Sequence, residues 1–266
     1  MPTKPFLKWA GGKRWLESRP EFSIPDYSGR YVEPFLGGAA VFFFHEPSSA
    51  ILADTNSRLI DAYNAIKNNW KAVQQELERH QELHSIEHYY SERKKYYGDI
   101  CCRAAQFLYL NRACWNGLYR ENLKGSFNVP IGTKNNIMLD TDNFEYISER
   151  LQGATIACQD FEHTVDLTVE GDFVFADPPY TTAHNMNGFV KYNQKIFTWA
   201  DQIRLRDSVV KAHKRGVRIL ITNANHPSVR GLYDKHATVR EIHRSSVISG
   251  KNSGRAMTSE ALFCLG

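Results

Sequence analysis

Apolar residues in the first quarter of the chain alternate between strand-like runs and helix-spaced positions. The run at 31–33 leads into a turn rich in glycine, and a compact apolar segment at 39–44 follows it as a helix candidate. A second apolar run at 50–53 ends in an aspartate, and beyond it apolar positions recur at helical spacing behind a cap at Asn56 or Ser57. This order predicts a parallel sheet with ligand sites at the carboxyl ends of its strands.

The alternation stops between about residues 62 and 150, where the sequence becomes polar and helical. The spacing predicts a helix at 101–112, and the segment 115–134 has the Asn-rich and Gly-rich composition of a loop. Because strands resume after this stretch, we interpret 62–150 as a helical domain inserted into an α/β domain made of residues 1–61 and 151–266.

Strand and helix signals alternate again in the last part of the chain. The predicted elements are strands at 155–158, 172–176 and 217–222, a helix from the capping box at Thr198 to Gly216, and an antiparallel pair at 239–248 and 261–265. The strand at 172–176 runs directly into Asp177-Pro178-Pro179-Tyr180, where two prolines stop it.

The composition is that of a folded globular protein. Of 266 residues, 42% are hydrophobic, so the chain can bury a core without disulfides or a structural metal. The longest fully apolar run, 39–44, is too short to cross a membrane, and the early lysines precede no apolar leader with a cleavage site. Five cysteines without a C-x-x-C pair suit reduced thiols. We therefore expect no disulfide, no metal and a cytoplasmic protein.

The net charge of +4 hides an uneven distribution along the chain. Residues 1–56 carry no net charge, 57–140 carry +3, 141–200 carry −6 and 201–266 carry +7. Basic regions around an acidic stretch favour a polyanionic partner beside a site that handles a cation. Ordinary solvated faces are the alternative explanation of the same pattern.

The glycine turn after the first predicted strand suits a ligand that contains a nucleoside. Gly37 and Gly38 let a ligand approach the backbone, and Asp54 ends the next strand, where a carboxylate can accept two ribose hydroxyls. The turn lacks the G-x-G-x-x-G pattern of dinucleotide sites, and Glu33 beside it repels phosphate and attracts an ammonium or sulfonium group. A tight packing turn is the alternative.

The tetrapeptide Asp177-Pro178-Pro179-Tyr180 predicts a site for an exocyclic amine. Its prolines hold the backbone, so the Asp177 carboxylate and the Pro178 carbonyl can accept hydrogen bonds from the two N–H groups of one amine. The nitrogen lone pair is then drawn out of conjugation and can attack an electrophile, while the Tyr180 ring stacks on the base. A turn that ends a buried strand is the alternative interpretation.

Further motifs accompany these two, and their order covers nearly the whole chain. They are Lys8-Trp9-Ala10-Gly11-Gly12-Lys13, Glu33-Pro34-Phe35-Leu36-Gly37-Gly38, Ala53-Asp54-Thr55-Asn56, Asn116-Gly117-Leu118-Tyr119-Arg120, Phe127-Asn128-Val129-Pro130-Ile131-Gly132 and the tetrapeptide at 177–180. The set resembles the Dam-type DNA adenine-N6 methyltransferases of the α-ordered, D12 class. That resemblance implies a Rossmann-like α/β methyltransferase sheet interrupted by a mostly helical target-recognition domain.

The resemblance also implies a site for S-adenosylmethionine as methyl donor. Its lining would comprise Trp9, Ala10, Gly11, Lys13, Asp54 and Asp177, with Glu33, Phe35 and Gly37 near the methionine part. Asp160 and Phe161 would hold the adenine of the donor, and Asp177, Pro178 and Tyr180 would be the catalytic residues.

Double-stranded DNA is the partner that the resemblance implies, and reading of its sequence falls to the insert and its loop. Trp115 corresponds to an aromatic residue that enters the base stack, and Arg120 suits bidentate reading of guanine. The other implied DNA contacts are Lys8, Asn116, Leu118, Pro130 and Lys134. Basic residues also contact phosphate commonly, so each has that alternative role.

The implied reaction is methylation of the N6 amine of an adenine flipped out of duplex DNA, within GATC. One departure bears on the target: Thr133-Lys134 stands where the family often has arginine, and a related adenine-containing site is the alternative. Two other functions stay open, namely an amine methyltransferase acting on RNA or a protein amide, and a DNA-binding protein without catalysis. We expect a monomer in solution; a host, phage or restriction-modification role stays open.

Overall fold

The computed structural model describes residues 5–117, 119–122, 125–183, 197–245 and 257–266. Its helices are α1 (Ala40–His45), α2 (Ser57–Glu82), α3 (Ile86–Glu92), α4 (Ile100–Ala113), α5 (Phe144–Leu151), α6 (Phe161–Asp166), α7 (Trp199–Lys214) and α8 (Pro227–Tyr233). Its strands are β1 (Tyr31–Glu33), β2 (Ala50–Asp54), β3 (Ala154–Cys158), β4 (Phe173–Ala176), β5 (Arg218–Ala224), β6 (Thr238–Ser245) and β7 (Met257–Leu265). Within these described ranges, no helix has the length and apolar character needed to cross a membrane.

The chain divides into two compact units that each contain several segments. The first unit comprises the residues up to Glu17, Leu36–Ser48 and Asp54–Cys158. The second comprises Ser18–Phe35, Ser49–Ala53 and the residues from Gln159 onwards.

Aromatic rings and long helices form the interior of the first unit. α2 packs against α4 and α5, and the Phe6 ring meets the rings of Tyr63, Phe43 and Phe144. Arg112 of α4 is fully buried, and its guanidinium forms an ion pair of 2.6 Å with Asp142. The same guanidinium donates to the carbonyls of Phe6 and Ile137, at 2.8 Å each. These bonds fix the N-terminal segment to the helical part of this unit.

The second unit contains six neighbouring strands of a seven-stranded mixed sheet, in the order β2-β1-β4-β5-β7-β6. β2, β1, β4 and β5 run parallel, whereas β7 is antiparallel to both β5 and β6. The register pairs Val32 with Ile51 and Val174, and Ala176 with Ile221. Apolar side chains of the strands and of α6, α7 and α8 form one buried cluster. The parallel strands, the helices and the terminal antiparallel pair confirm the predicted α/β class.

Several predicted elements agree closely with the structure. α4 matches the predicted helix at 101–112, and α7 begins with the predicted capping box, in which Thr198 and Asp201 bond reciprocally. Residues 246–248 of the predicted strand at 239–248 lie outside the described part of the chain. β7 begins at Met257, four residues before the predicted start at 261.

Candidate functional site

The glycine turn of the first unit is held by the carboxylate of Asp54. The Gly37 N–H donates to Asp54 Oδ2 at 3.1 Å, and the Asn56 N–H donates to Oδ1 at 2.9 Å. The Tyr63 hydroxyl donates to the Gly37 carbonyl at 3.0 Å. Gly37 has φ +44°, and a Cβ there would lie 2.7 Å from Cδ1 of Trp9. Only glycine therefore fits this position.

Burial and backbone donors act in opposite directions on Asp54. Burial raises the pKa of the Asp54 carboxyl above its ordinary value, and the backbone N–H groups of Asn56 and Gly37 oppose this shift. Each of these oxygens keeps further acceptor capacity, since a carboxylate offers about four lone-pair positions. The carboxylate at the end of β2 is thus oriented and able to accept hydroxyl groups.

The segment with Trp9 and Lys13 supplies a second set of groups in the first unit. The Trp9 ring stacks on Tyr119 with centroids 5.7 Å apart. Lys13 is buried, and its Nζ donates to the Gly11 carbonyl at 2.8 Å. Gly11 has φ +79° and is exposed like Ala10, and nothing lies within 4 Å of where its Cβ would be. A ligand can therefore approach the backbone there closely.

Glu33 and Phe35 belong to the second unit. Glu33, the last residue of β1, is buried and accepts the Tyr31 hydroxyl at 2.8 Å. Burial, followed by the charge of Glu33, holds the pKa of Tyr31 well above its ordinary value, so this tyrosine stays a donor. The Phe35 ring stacks on Phe161 with centroids 5.3 Å apart.

Asp160 and Phe161 stand at the beginning of α6, also in the second unit. The Asp160 carboxylate caps this helix by accepting the Glu162 N–H at 2.9 Å. It also accepts from Nη2 of Arg204 at 2.9 Å, and the same guanidinium lies 4.8 Å from the Phe161 ring centroid. Phe161 itself is buried in the apolar cluster of this unit.

The loop after β4 carries Asp177 and Tyr180. The Thr222 hydroxyl of β5 donates to Asp177 Oδ1 at 2.6 Å, and the Tyr180 hydroxyl donates to Oε2 of Glu260 in β7 at 2.6 Å. Burial, then the charges of Asp177 and Glu260, hold the pKa of Tyr180 well above its ordinary value. Pro178 is buried between these two residues of the chain. The tetrapeptide therefore has fixed side chains at both ends.

The loop that follows α4 presents an exposed aromatic ring. The side chain of Trp115 is 52% exposed, while its backbone N–H donates to the Pro130 carbonyl at 2.9 Å. Asn116 is exposed with φ +57°, a conformation that asparagine tolerates better than most residues. A second bond, from the Gly132 N–H to the Ala113 carbonyl at 2.7 Å, anchors the end of the loop to the last residue of α4. The backbone is thus held while the indole stays exposed.

Arg120 and Asn128 form a reciprocal pair in the same loop. Nε of Arg120 donates to Asn128 Oδ1 at 2.9 Å, and the Asn128 N–H donates to the Arg120 carbonyl at 3.1 Å. Arg120 is exposed. The bond at Nε limits rotation of the guanidinium, and its Nη groups are accessible to a ligand. Leu118, the other predicted base contact here, lies outside the described residues.

Lys8 and Lys134 bring two positive charges together in the first unit. Burial lowers the pKa of Lys8 to about 8, and the hydrogen bond and charge of Lys134 add to this shift. The backbone of Lys8 is clamped by Asn111, which accepts its N–H at 3.0 Å and donates to its carbonyl at 2.8 Å. Two adjacent ammonium groups favour an anion.

Sequence reasoning missed the buried polar residues that support these groups. Thr222, Glu260, Gln202 and Asn111 are all buried, and each bonds to a predicted site residue or to its loop. The available signal was a polar residue beside an apolar run of a strand, as at Thr222 after 219–221 and Glu260 before 261–265.

Comparison with known proteins identifies the class to which this fold and these groups belong. The family described as D12 class N6 adenine-specific DNA methyltransferase matches residues 9–248. The chain belongs to this family and is an adenine-specific DNA methyltransferase, which confirms the resemblance in the sequence motifs. Membership implies S-adenosylmethionine as the methyl donor.

Three relatives illustrate the similarity. The chain is 36% identical to the type II methyltransferase M1.LlaDCHI of Lactococcus lactis subsp. cremoris, over 97% of this chain and 94% of that protein. It is 34% identical to a DNA adenine methylase of Vibrio cholerae, over 97% of this chain and 94% of the relative. The DNA adenine methylase of Escherichia coli K12 is 33% identical, over 97% of this chain and 93% of its own length.

Proposed function

We propose that this methyltransferase modifies the N6 amine of an adenine that is flipped out of duplex DNA, within GATC. Asp177 at the end of β4, held by the Thr222 hydroxyl at 2.6 Å, is the observation that carries the proposal. An amine inside a duplex is inaccessible to such a carboxylate, so the base has to leave the stack.

The donor-binding residues of the proposal are Trp9, Ala10, Gly11, Lys13, Gly37 and Asp54, together with Glu33, Phe35, Asp160, Phe161 and Asp177. Three observations in the first unit fit the donor: the oriented Asp54 carboxylate for ribose hydroxyls, the open backbone at Gly11, and the glycine at 37. The buried Glu33 carboxylate suits a cationic group. When bound, S-adenosylmethionine supplies an electrophilic methyl group.

Asp177, Pro178 and Tyr180 act on the acceptor amine in this proposal. The Asp177 carboxylate and the Pro178 carbonyl each accept a hydrogen bond from one N–H of this amine, which makes the nitrogen lone pair available for attack. The Tyr180 ring stacks on the base, and its raised pKa keeps the hydroxyl protonated. The nitrogen bonds to the methyl group as the bond from that methyl group to the donor sulfur breaks, and the alkylated amine then releases a proton to solvent. Catalysis therefore depends on positioning and electrostatics. No step requires a metal, and activity should persist in a chelator.

Target reading is assigned to residues 62–150, with Lys8 as an additional contact. The exposed Trp115 ring fills the space that the flipped adenine leaves in the base stack. Arg120 reads guanine, while Asn128 accepts a hydrogen bond from Nε of Arg120. Asn116, Leu118, Pro130 and Lys134 provide the neighbouring contacts. GATC is proposed because the motif set is similar to that of the Dam-type enzymes, and Thr133-Lys134 is where a different target would arise.

The decisive experiment maps modified adenines at base resolution in DNA from cells that express the protein. Wild type should methylate adenine in GATC, and Asp177→Ala should fold and lose activity. Asp207→Ala removes an exposed carboxylate of α7 and serves as the matched control. Full methylation by Asp177→Ala would refute the catalytic assignment. Methylation by wild type at another adenine-containing site would refute only the GATC target.

We also propose that a monomer acts on each strand of the palindromic target in turn. Gel filtration with light scattering, with and without a GATC duplex, tests this proposal. A stable dimer without DNA would contradict it.

A further inference from the structure

Three buried polar side chains support the loop 177–181 in the second unit. Thr222 bonds to Asp177, Glu260 bonds to Tyr180, and Gln202 Nε2 donates to the Pro179 carbonyl at 3.3 Å. Thr222 and Gln202 are fully buried, and Glu260 is 5% exposed. Burying such groups is costly unless they are bonded, so they specify the loop geometry.

Thr222 fixes the plane of the Asp177 carboxylate. β5 pairs with β4, and Ile221 lies opposite Ala176, so Thr222 faces the first residue beyond the end of β4. Its hydroxyl donates to Oδ1 at 2.6 Å. A carboxylate is planar, so holding one oxygen also sets the direction of the other, and an amine bond to that other oxygen depends on this orientation.

Glu260 fixes the ring of Tyr180 in the same manner. It lies on β7, opposite Ala224 of β5 and Ile242 of β6, both across antiparallel pairs. Its Oε2 accepts the Tyr180 hydroxyl at 2.6 Å. A tyrosine ring that is held at its hydroxyl and at its Cβ cannot tilt freely, so the face available for stacking is preset.

We infer that Thr222 and Glu260 are positioning residues for methyl transfer, acting through Asp177 and Tyr180 on the orientation of the acceptor adenine. This inference rests on the proposed roles of Asp177 and Tyr180. Neither residue contacts the base: Thr222 orients the oxygen that accepts the amine proton, and Glu260 orients the stacking ring. Misplacement by about 1 Å can cost about 100-fold in rate, so loss of either bond should reduce turnover.

Thr222→Val tests the first bond, because valine keeps the shape of threonine and removes the hydroxyl. We expect kcat to fall about 10- to 100-fold with KM for DNA and for S-adenosylmethionine nearly unchanged. Thr222→Ser restores the hydroxyl and should recover most of the rate. Equal kcat for Thr222→Val and wild type would overturn the role of Thr222, as would a serine variant as slow as valine.

Glu260→Met tests the second bond, with Glu260→Gln as the variant that keeps an acceptor oxygen. Methionine should lower kcat and glutamine should restore most of it. In a Tyr180→Phe background, which already lacks the donor, Glu260→Met should cause no additional loss. Additive losses would overturn the assignment. Should Glu260→Met fail to fold, Tyr180→Phe alone tests the same bond, because it removes the donor and keeps the ring: kcat should fall as for loss of Glu260, and an unchanged kcat would overturn the assignment.

Asp177→Ala separates this inference from the proposed function. An inactive Asp177→Ala with a fully active Thr222→Val would leave the proposed function intact and remove only the positioning role. An active Asp177→Ala would remove both. Thermal unfolding of each variant distinguishes lost positioning from lost folding, since a variant that has lost only positioning still unfolds cooperatively well above the assay temperature, even where the missing buried bond lowers Tm.

Discussion

Two glycines in this protein differ in how strongly their surroundings require a glycine. Gly37 is constrained by its left-handed φ of +44° and by the Trp9 ring beside it. Gly231 of α8 has open space where a Cβ would be, so nothing nearby requires a glycine there. The same substitution at the two positions should therefore have opposite effects.

Gly37→Ala should destabilise the protein by about 1–3 kcal/mol and weaken donor binding, because the new Cβ strains the backbone and displaces Trp9. Gly231→Ala should be neutral or stabilising by up to about 1 kcal/mol, because alanine favours a helix interior. Chemical denaturation measures the stability, and calorimetry with S-adenosylmethionine measures binding. Unchanged donor affinity in Gly37→Ala would argue against a donor site at this turn.

Lys8 should make DNA binding sensitive to alkaline pH. Its pKa of about 8 means that the ammonium is charged below pH 8 and becomes neutral as the pH rises through that value. Affinity for a GATC duplex should therefore fall about five- to tenfold between pH 7 and 9 at about 0.1 M salt, the effect of losing one ionic contact. Fluorescence anisotropy at constant salt measures it.

Lys134→Gln provides the internal comparison for this pH effect. Removing the Lys134 charge should raise the pKa of Lys8 and move the midpoint of the affinity loss to higher pH. Lys8→Gln should abolish the step, so an unchanged step in Lys8→Gln would assign it to another group.

At the scale of elements, a pair of histidines joins the end of α2 to α3: His80 is buried and His88 is half-buried. Nδ1 of His80 lies 3.0 Å from Nε2 of His88, and the His80 ring stacks on Tyr109 of α4. Burial lowers the pKa of His80 to about 4, although the nearby carboxylate of Glu92 opposes the shift. The folded protein therefore keeps His80 neutral at pH values where the unfolded chain protonates it.

The free energy of unfolding should consequently fall as the pH drops from 6.5 towards 4. The His80 contribution is complete above 6.5, the ordinary histidine value, and is lost on the way to its folded pKa, by up to about 2–3 kcal/mol. His80→Phe keeps an aromatic ring against Tyr109 and should flatten this slope. His236→Asn, on the surface, should leave it unchanged. Urea titrations at several pH values measure the slope.

Elements with their own local signals could be predicted, whereas those formed by tertiary contacts could not. The apolar spacing of α4 and the capping box of α7 are local, and both agree with the structure. α6 and α8 are short helices of six and seven residues, capped by Asp160 and His226. They are too short to show an extended apolar pattern in the sequence. α5 does carry a local signal, since Phe144, Ile147 and Leu151 recur at helical spacing behind a cap at Asn143, but it was predicted only as part of the general helical stretch 62–150.

At the scale of the whole molecule, positive charge is divided equally between the two units. By sequence, the first has 17 basic and 15 acidic residues and the second has 16 and 14, so each carries +2. A charge this small does not by itself attract DNA strongly. Affinity should depend on local groups such as Lys8, Lys134 and Arg120, not on a general basic surface.

Arg120→Gln and Lys134→Gln should separate base reading from phosphate binding. Arg120→Gln should weaken discrimination between GATC and altered sites by about 1–3 kcal/mol. If Lys134 has the alternative role of a phosphate contact, Lys134→Gln should weaken binding to all sequences alike and lower the salt slope of log K by about 1. Anisotropy titrations at several salt concentrations measure both quantities. The reverse result would exchange the two roles.

The site was predictable where its chemistry lies on contiguous residues. The motifs at 8–13, 33–38 and 177–180 are legible because turns and prolines are local features. The partners of those motifs were not legible: Thr222 and Glu260 approach the loop after β4 from strands 45 and 80 residues away in sequence. Only strand pairing, which a single sequence does not display, brings them together.

The insertion of β7 between β5 and β6 also has a consequence for synthesis on the ribosome. β7 is the last strand in chain order, yet it pairs along both of its edges. The support of Tyr180 by Glu260 therefore cannot form cotranslationally until Met257–Leu265 has emerged. Such non-local pairing slows folding, and it delays completion of the β5-β7-β6 part of the sheet until β7 has been made.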